Sequence, residues 1–316
     1  MNRFRIAPTP SGYLHAGNEF NFRSIDSWRE ELGGTVLLRI DDMDWHRVRK
    51  EYVEDIFLKL RKWGIRWEMG PKGRQEQEQV WSQSLRIEFY RSGAILLQQT
   101  GWLYPCSCSR KALQANACPC RPQSFPVPTS YLNTSILENS ASPNQPLSHH
   151  LKFPFSMFNP NLPDSVVWRK EGIPAYQLSS LLDDLLFGIT HIVRGNDLLP
   201  STEMQQILNF IGHRAWDPDG NILSSLHPYS LDSPLMNSLQ TLPILPAYKH
   251  LFIQQWSLLA AKLNLINQFR DLQSEDNPSA AFNPFQFHRC TFRHHPLLTD
   301  SSGEKLSKSI KNDIPN

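Results

Sequence analysis

Four segments near the start of the chain have the hydrophobic spacing of regular secondary structure. They are a strand at 3–8, a helix at 17–32, a strand at 35–40 and a helix at 51–63. Gly33 and Gly64 follow the two helices, as is usual where helices end. The order strand, helix, strand, helix predicts a parallel α/β sheet with right-handed crossovers.

Regular patterning is less even in the remainder of the chain. Residues 122–165 are rich in Pro, Ser and Asn, which predicts an irregular insertion, and 214–246 are again loop-like. The other predicted elements are helices at 76–100, 177–187, 201–211 and 251–269, a strand at 189–194, and a final strand with a Gly-containing loop within 294–309.

The first turn combines features that suit phosphate binding. The segment Pro8-Thr9-Pro10-Ser11-Gly12 leads to His15-Ala16-Gly17-Asn18, which opens the first predicted helix. A helix N-terminus offers free N–H groups and partial positive charge. His15 can donate to phosphate oxygens, and Gly17 leaves room for a nucleotide against the backbone.

The last polar segment carries two lysines three positions apart, Lys305 and Lys308, within Lys305-Leu306-Ser307-Lys308-Ser309. Two cations there can meet a triphosphate and stabilise charge that develops on its leaving group. By itself, such a segment is equally typical of a polar tail.

Four of the five cysteines form a C-x-C, nine residues, C-x-C pattern: Cys106, Cys108, Cys118 and Cys120. Four thiolates suit tetrahedral Zn²⁺, and closed coordination predicts a structural role. The alternative is a group of thiols without metal.

Composition limits the possible classes of protein. The chain has 316 residues, enough for about two domains, and 40% apolar residues, typical of a globular protein. No apolar run approaches the roughly 18 residues of a membrane span, so we expect a cytoplasmic protein without a membrane partner. The net charge of +2 excludes a polycation, and any nucleic-acid contact must use local positive charge. The basic residues within 47–62 are a candidate for such a contact, and a solvated helix face is an equally good interpretation of them.

The two phosphate-side motifs resemble the HIGH and KMSKS signatures of class I aminoacyl-tRNA synthetases. Further segments look like the glutamyl and glutaminyl subgroup, in family order. They are Arg5-Ile6-Ala7-Pro8-Thr9-Pro10-Ser11-Gly12, Leu38-Arg39-Ile40-Asp41-Asp42-Met43-Asp44, and the stretches 172–178, 183–184, 188–198 and 295–298.

This resemblance implies a Rossmann-like parallel sheet with an inserted, zinc-containing acceptor-binding subdomain. It implies ATP and Mg²⁺ at His15, Gly17, Asn18, Lys305 and Lys308. It also implies five amino-acid-binding residues, Arg5, Ser11, Asp41, Tyr176 and Arg194. Arginine suits two-point binding of a carboxylate, and an acid suits the α-amino group.

One departure keeps the amino acid open. Glutamyl enzymes usually carry Glu where this chain has Asp41, and glutaminyl enzymes carry Asp there. Glutamate is the expected substrate, and the shorter acid leaves glutamine as its rival.

Only seven residues follow Ser309, so we expect no anticodon-binding domain. The chain is therefore similar to the truncated glutamyl-queuosine tRNA(Asp) synthetases, which implies glutamate and queuosine-containing tRNA(Asp) as partners, and we expect a monomer. The expected organisation is catalytic core at 1–104 and 166–213, zinc subdomain and irregular loop at 105–165, lineage-specific insertion at 214–290 and lysine loop at 291–316. Two alternatives remain, namely a truncated synthetase with another acceptor and a non-catalytic RNA-binding paralogue.

Overall fold

The computed structural model describes residues 2–108, 118–127, 147–216 and 290–299. The chain forms two compact units. The first contains Met1–Arg86, Phe187–Thr202 and Arg289–Asn316, and the second contains Ile87–Leu186 and Glu203–His288. The predicted helix at 251–269 and residues 300–316 of the lysine-loop segment lie outside the described residues.

The described strands and helices follow one another along the chain in this order: β1 Arg3–Ile6, α1 Ala16–Leu32, β2 Thr35–Leu38, α2 Lys50–Lys62, α3 Arg74–Glu76, α4 Ile87–Gln99, β3 Tyr104–Cys106, β4 His150–Phe153, β5 Ser165–Trp168, α5 Tyr176–Leu186, β6 His191–Gly195, α6 Leu199–Trp216 and β7 Thr291–His295. Among these helices, none has both the length and the apolar character of a membrane span.

The first unit is built on a four-stranded sheet in the order β2-β1-β6-β7, with every pairing parallel. The predicted parallel α/β sheet is thus confirmed. Its strands pack α1 and α2 through a continuous apolar core that includes Phe4, Phe22, Trp28 and Ile56. This agreement arises because the buried positions of both helices recur every three or four residues, as the sequence pattern requires.

The single long helix predicted at 76–100 is wrong. The structure has α3, a π-helical turn at Gln77–Trp81, a 3₁₀ turn at Gln83–Arg86 and then α4. The break occurs at Ser82, where the chain turns to bond with Asp42. The carboxylate accepts from the Gln83 N–H at 2.7 Å and from Gln77 Nε2 at 2.8 Å. Such long-range bonds override local helix propensity.

The second unit contains a three-stranded antiparallel sheet in the order β3-β4-β5. Strand β4 lies inside the segment 122–165, so the prediction of an irregular stretch is wrong there. The strand is only four residues long and is held by pairing on both edges. Stacked aromatic side chains fill the core of the unit, with Trp102 placed 5.9 Å from Phe125 and 6.2 Å from Phe153 between ring centroids.

Candidate functional site

The carboxyl end of the parallel sheet gathers the predicted polar residues of the first unit. Arg5 lies on β1, Arg194 lies on β6, and Asp41 follows β2; all three are buried. Past β2 the backbone stays paired with the turn after β1, because the Asp41 N–H donates to the Pro8 carbonyl at 2.9 Å. Open α/β sheets bind ligands at this edge.

His15 is the N-cap of α1, and its ring is fixed by the helix that it begins. The Gly17 N–H donates to Nδ1 at 3.1 Å, and the His15 N–H donates to Asn18 Oδ1 at 3.0 Å. Since Nδ1 accepts, the proton of the neutral ring is on Nε2. His15 therefore presents a donor beside the positive end of the helix dipole.

Gly17 has a steric role beside this ring. A Cβ at position 17 would stand 2.9 Å from His15 Cε1 and 3.0 Å from Nδ1. Any side chain at position 17 would therefore displace the imidazole. The sequence suggests that Gly17 leaves room for a nucleotide. In the structure, the His15 ring lies next to the position that a Cβ of residue 17 would take.

Asp41 is bound on both oxygens by a guanidinium of the same chain. Arg39 Nε donates to Oδ1 at 2.7 Å and Nη2 donates to Oδ2 at 3.2 Å, and both side chains are buried. A carboxylate has about four lone-pair positions, and the Arg39 guanidinium fills two of those of Asp41.

Arg194 is held by residues that the sequence motifs do not include. Its Nη1 donates to Thr202 Oγ1 at 3.0 Å, and the Thr202 hydroxyl donates to the Leu198 carbonyl at 3.1 Å. His294 Nε2, 3.1 Å from the same oxygen, must then donate to it. Burial, followed by the positive charge of Arg194, lowers the pKa of His294 and favours its neutral form.

Asp42 is a buried acid that sequence reasoning did not single out. Burial raises its pKa, although hydrogen bonds from Gln77 and Gln83 partly oppose this effect. The Met43 N–H closes the network by donating to Gln83 Oε1 at 3.0 Å. These bonds fix the loop that carries Asp41, so Asp42 positions its neighbour. The only sequence signal was the acidic pair after a buried strand.

The remaining predicted residues are placed separately. Ser11 lies in the turn after β1, where its N–H donates to the Thr9 carbonyl at 2.9 Å. Tyr176 opens α5 in the second unit and is half-buried. Lys305 and Lys308 lie outside the described residues.

The four predicted cysteines meet in the second unit. Their sulfur atoms all lie within 4.8 Å of one another, with Cys106 and Cys118 3.5 Å apart and Cys108 and Cys120 3.7 Å apart. Tetrahedral Zn²⁺ with Zn–S bonds of about 2.3 Å needs sulfur separations of about 3.8 Å. The donor set therefore fits zinc, and Cys106, Cys108, Cys118 and Cys120 could hold one ion.

The surroundings of the cysteines differ from one thiol to the next. Burial raises the pKa of Cys106 to about 12, whereas a hydrogen bond from the Ser107 backbone lowers the pKa of Cys120. Asp164 ties the segment to β3, since it accepts from Arg121 Nε at 2.8 Å and from Tyr104 Oη at 3.0 Å. A divalent cation at the centre would favour the thiolate form of every ligand.

Comparison with known families gives one match over most of the chain. Residues 2–124 and 144–215 match the family described as tRNA synthetases class I (E and Q), catalytic domain. The match includes the β1–α1 turn, the Arg39–Asp41 pair, the cysteine cluster and Arg194.

Individual relatives point the same way. A glutamyl-Q tRNA(Asp) synthetase of Nitratidesulfovibrio vulgaris is 34% identical over 227 residues, which are 66% of this chain and 69% of that protein. A glutamate–tRNA ligase of Koribacter versatilis is 31% identical over 65% of this chain but only 45% of the relative.

A solved structure shares the fold. The glutamate tRNA ligase of Elizabethkingia meningosepticum, in complex with its amino acid, aligns with a TM-score of 0.53 and 23% identity. The alignment covers 66% of this chain and 46% of that one, so the chain spans less than half the length of such ligases.

Proposed function

Since this chain belongs to the catalytic-domain family of the class I (E and Q) tRNA synthetases, we propose that it activates glutamate with ATP and transfers it to queuosine in the anticodon of tRNA(Asp). Family membership makes the chain a ligase of the aminoacyl-tRNA synthetase type. The observation that carries the proposal is His15, whose ring is fixed by the Gly17 N–H at the start of α1, the helix that follows the turn after β1.

Activation begins with attack of a glutamate α-carboxylate oxygen on the α-phosphorus of ATP. The new O–P bond forms as the bond to the bridging oxygen breaks, and pyrophosphate leaves. Mg²⁺, when bound, would neutralise part of the charge on the phosphates. His15 Nε2–H and the α1 N-terminus stabilise the charge that spreads over the phosphates. Lys305 and Lys308 are proposed to meet the same charge from the lysine loop. No protein nucleophile is required, because positioning and electrostatics lower the barrier.

Glutamate binding is assigned to the polar residues of the sheet edge. Arg5 and Arg194 suit the two carboxylates, since each guanidinium can donate two parallel bonds. Asp41, already oriented by Arg39, suits the α-ammonium group. Ser11 and Tyr176 complete the proposed set.

The acceptor is inferred from the relatives. The glutamyl-Q tRNA(Asp) synthetase is 34% identical over 66% of this chain, and the glutamate–tRNA ligase is 31% identical over 65%. In the proposed second step a hydroxyl of the queuosine base attacks the adenylate carbonyl, the ester bond forms, and AMP leaves.

Zinc is proposed as a structural ion. Cys106, Cys108, Cys118 and Cys120 would supply four thiolates, and complete coordination leaves no position for substrate. Its contribution is to fix the segment after β3, which Asp164 already ties to the sheet.

The decisive test of the acceptor is where the glutamate is attached. We expect purified chain, ATP, Mg²⁺ and labelled glutamate to label queuosine-containing tRNA(Asp) and not the same tRNA lacking queuosine. After nuclease cleavage the label should be in the anticodon fragment. Label in the 3′-terminal fragment would instead establish the first alternative, a truncated synthetase that charges the terminal ribose.

Two rival functions are tested by the same assay. Asp41 matches glutaminyl rather than glutamyl enzymes, so glutamine is tested beside glutamate. A non-catalytic RNA-binding paralogue would bind tRNA but would not catalyse pyrophosphate exchange, whichever amino acid is supplied. Such a protein has no need for the fixed donor of His15.

A further inference from the structure

The end of α2 and the loop after it carry a group of cations that the activation chemistry does not use. The last turn of α2 contains Lys59, Arg61 and Lys62, and Arg66 and Lys72 follow in the loop. Cations stabilise a helix C-terminus, which accounts for part of this group. Arg66 and Lys72 lie beyond the helix, so that explanation does not extend to them.

Three of these cations, Arg61, Arg66 and Lys72, line an open groove in the first unit, here called the α2 groove. Its volume is about 580 Å³, and it is lined by Arg61, Arg66, Trp67, Glu68 and Lys72, among others. Two hydrogen bonds connect the end of α2 and Trp67 to the loop at 71–72. Arg61 Nη2 donates to the Lys72 carbonyl and Trp67 Nε1 donates to the Pro71 carbonyl, each at 2.9 Å. The Lys72 ammonium lies 4.9 Å from the centre of the Trp67 ring.

The α2 groove is electropositive because three cations and one acid line it, and the carboxylate of that acid accepts a hydrogen bond from the backbone. Glu68 is the one acid among its lining residues, and its Oε2 accepts from the Val36 N–H at 2.7 Å. Within the part of the chain that the structure describes, the lining residue Arg66 forms no ion pair. By contrast, Arg74 is bound to Glu54 and Glu78, each at 2.9 Å.

We propose that the α2 groove binds the phosphate backbone of the RNA substrate. The proposal rests on the proposed function, in which a tRNA is the acceptor. A groove of this size and openness suits an extended polyanion rather than a single phosphate, which needs an enclosed set of donors. Exposed Arg and Lys side chains beside tryptophan supply charge for phosphates together with a surface against which a ribose or base can pack.

Phosphate contacts give affinity and orientation without reading sequence. The α2 groove would therefore hold tRNA whether or not queuosine is present, and selection of the base would remain with the activation site. Each contact releases bound counterions, so the salt dependence of binding measures how many are made.

The test is a double variant of two exposed lining cations in the full chain, Arg66→Gln with Lys72→Gln, and titration of queuosine-containing tRNA(Asp). We expect affinity to fall about tenfold at low salt, and the slope of log K against log salt to become shallower by about 1.5. The matched control is Arg23→Gln with Arg74→Gln. It removes the same charge from two cations that already pair with acids of this unit.

The control separates a local site from a general charge effect. Equal losses in the two double variants would overturn the proposal, as would full affinity and an unchanged slope in the groove variant. Glutamate-dependent pyrophosphate exchange should be the same in the groove variant as in the unaltered chain. Absence of exchange in the unaltered chain would instead refute the proposed function, while the tRNA titration would still decide whether the groove binds RNA.

Discussion

The buried guanidinium of Arg39 holds both carboxylate oxygens of Asp41, at 2.7 and 3.2 Å. Replacing Arg39 by Gln would remove this bidentate charge pair from a buried carboxylate. We expect the free energy of unfolding in urea to fall by about 3–5 kcal/mol. The control is Arg23→Gln, which breaks the exposed pair with Glu19 and should cost less than about 1 kcal/mol. Similar losses in both variants would contradict the structural role of the Arg39–Asp41 pair.

Gly17→Ala tests whether the orientation of His15 matters for activation. The added Cβ would stand 2.9 Å from the imidazole, which can rotate away, so the fold should survive. We expect the rate of glutamate-dependent exchange to fall about a hundredfold, as for the loss of one oriented donor, with the melting temperature unchanged or slightly raised.

The matched control for Gly17 is Gly73→Ala, because a Cβ at Gly73 meets no atom within 4 Å. It should leave exchange unchanged. If Gly17→Ala retained full exchange activity, the ring position of His15 would have no bearing on catalysis.

Thr202→Val removes the hydroxyl that accepts from both Arg194 and His294. The substitution keeps the shape of the side chain, so Arg194 should lose its orientation while the helix persists. We expect the KM for glutamate to rise about tenfold with little change in kcat, since a hydrogen bond to a charged group contributes about 1.5–3 kcal/mol. Thr202→Ser should restore the KM. An equal fall in kcat, or failure of Ser to rescue, would indicate damage beyond Arg194.

Metal analysis tests the cysteine cluster directly. We expect one zinc per chain after gentle purification, lost on Cys108→Ala together with part of the thermal stability. Cys290 lies outside the cluster, so Cys290→Ala should retain the metal. A zinc content near zero in the unaltered chain would remove the metal from the proposal.

The parallel sheet and its two packed helices could be predicted because their buried residues follow a period that local sequence displays. The cysteine cluster could also be predicted, since the spacing from Cys106 to Cys120 places four soft ligands on a short segment. In both cases the information is local, and the fold only brings the elements together.

Other features depend on partners distant in sequence. The hydrogen bond between Thr202 and His294 joins residues 92 positions apart, and no sequence pattern near either residue predicts it. The break at Ser82 depends on Asp42, which lies on a different loop. Strand β4 is too short to show a period, and only its pairing with β3 and β5 defines it.

Pyrophosphate exchange supported by single amino acids tests the central claim most directly. Purified chain is supplied with ATP, Mg²⁺ and glutamate, glutamine or aspartate, each without and with queuosine-containing tRNA(Asp). Of the three amino acids, we expect only glutamate to support exchange. Lys308→Ala should reduce the rate of this exchange about a hundredfold with little change in the KM for glutamate. Exchange with glutamine in preference to glutamate, or with none of the three amino acids, would contradict glutamate activation by this chain.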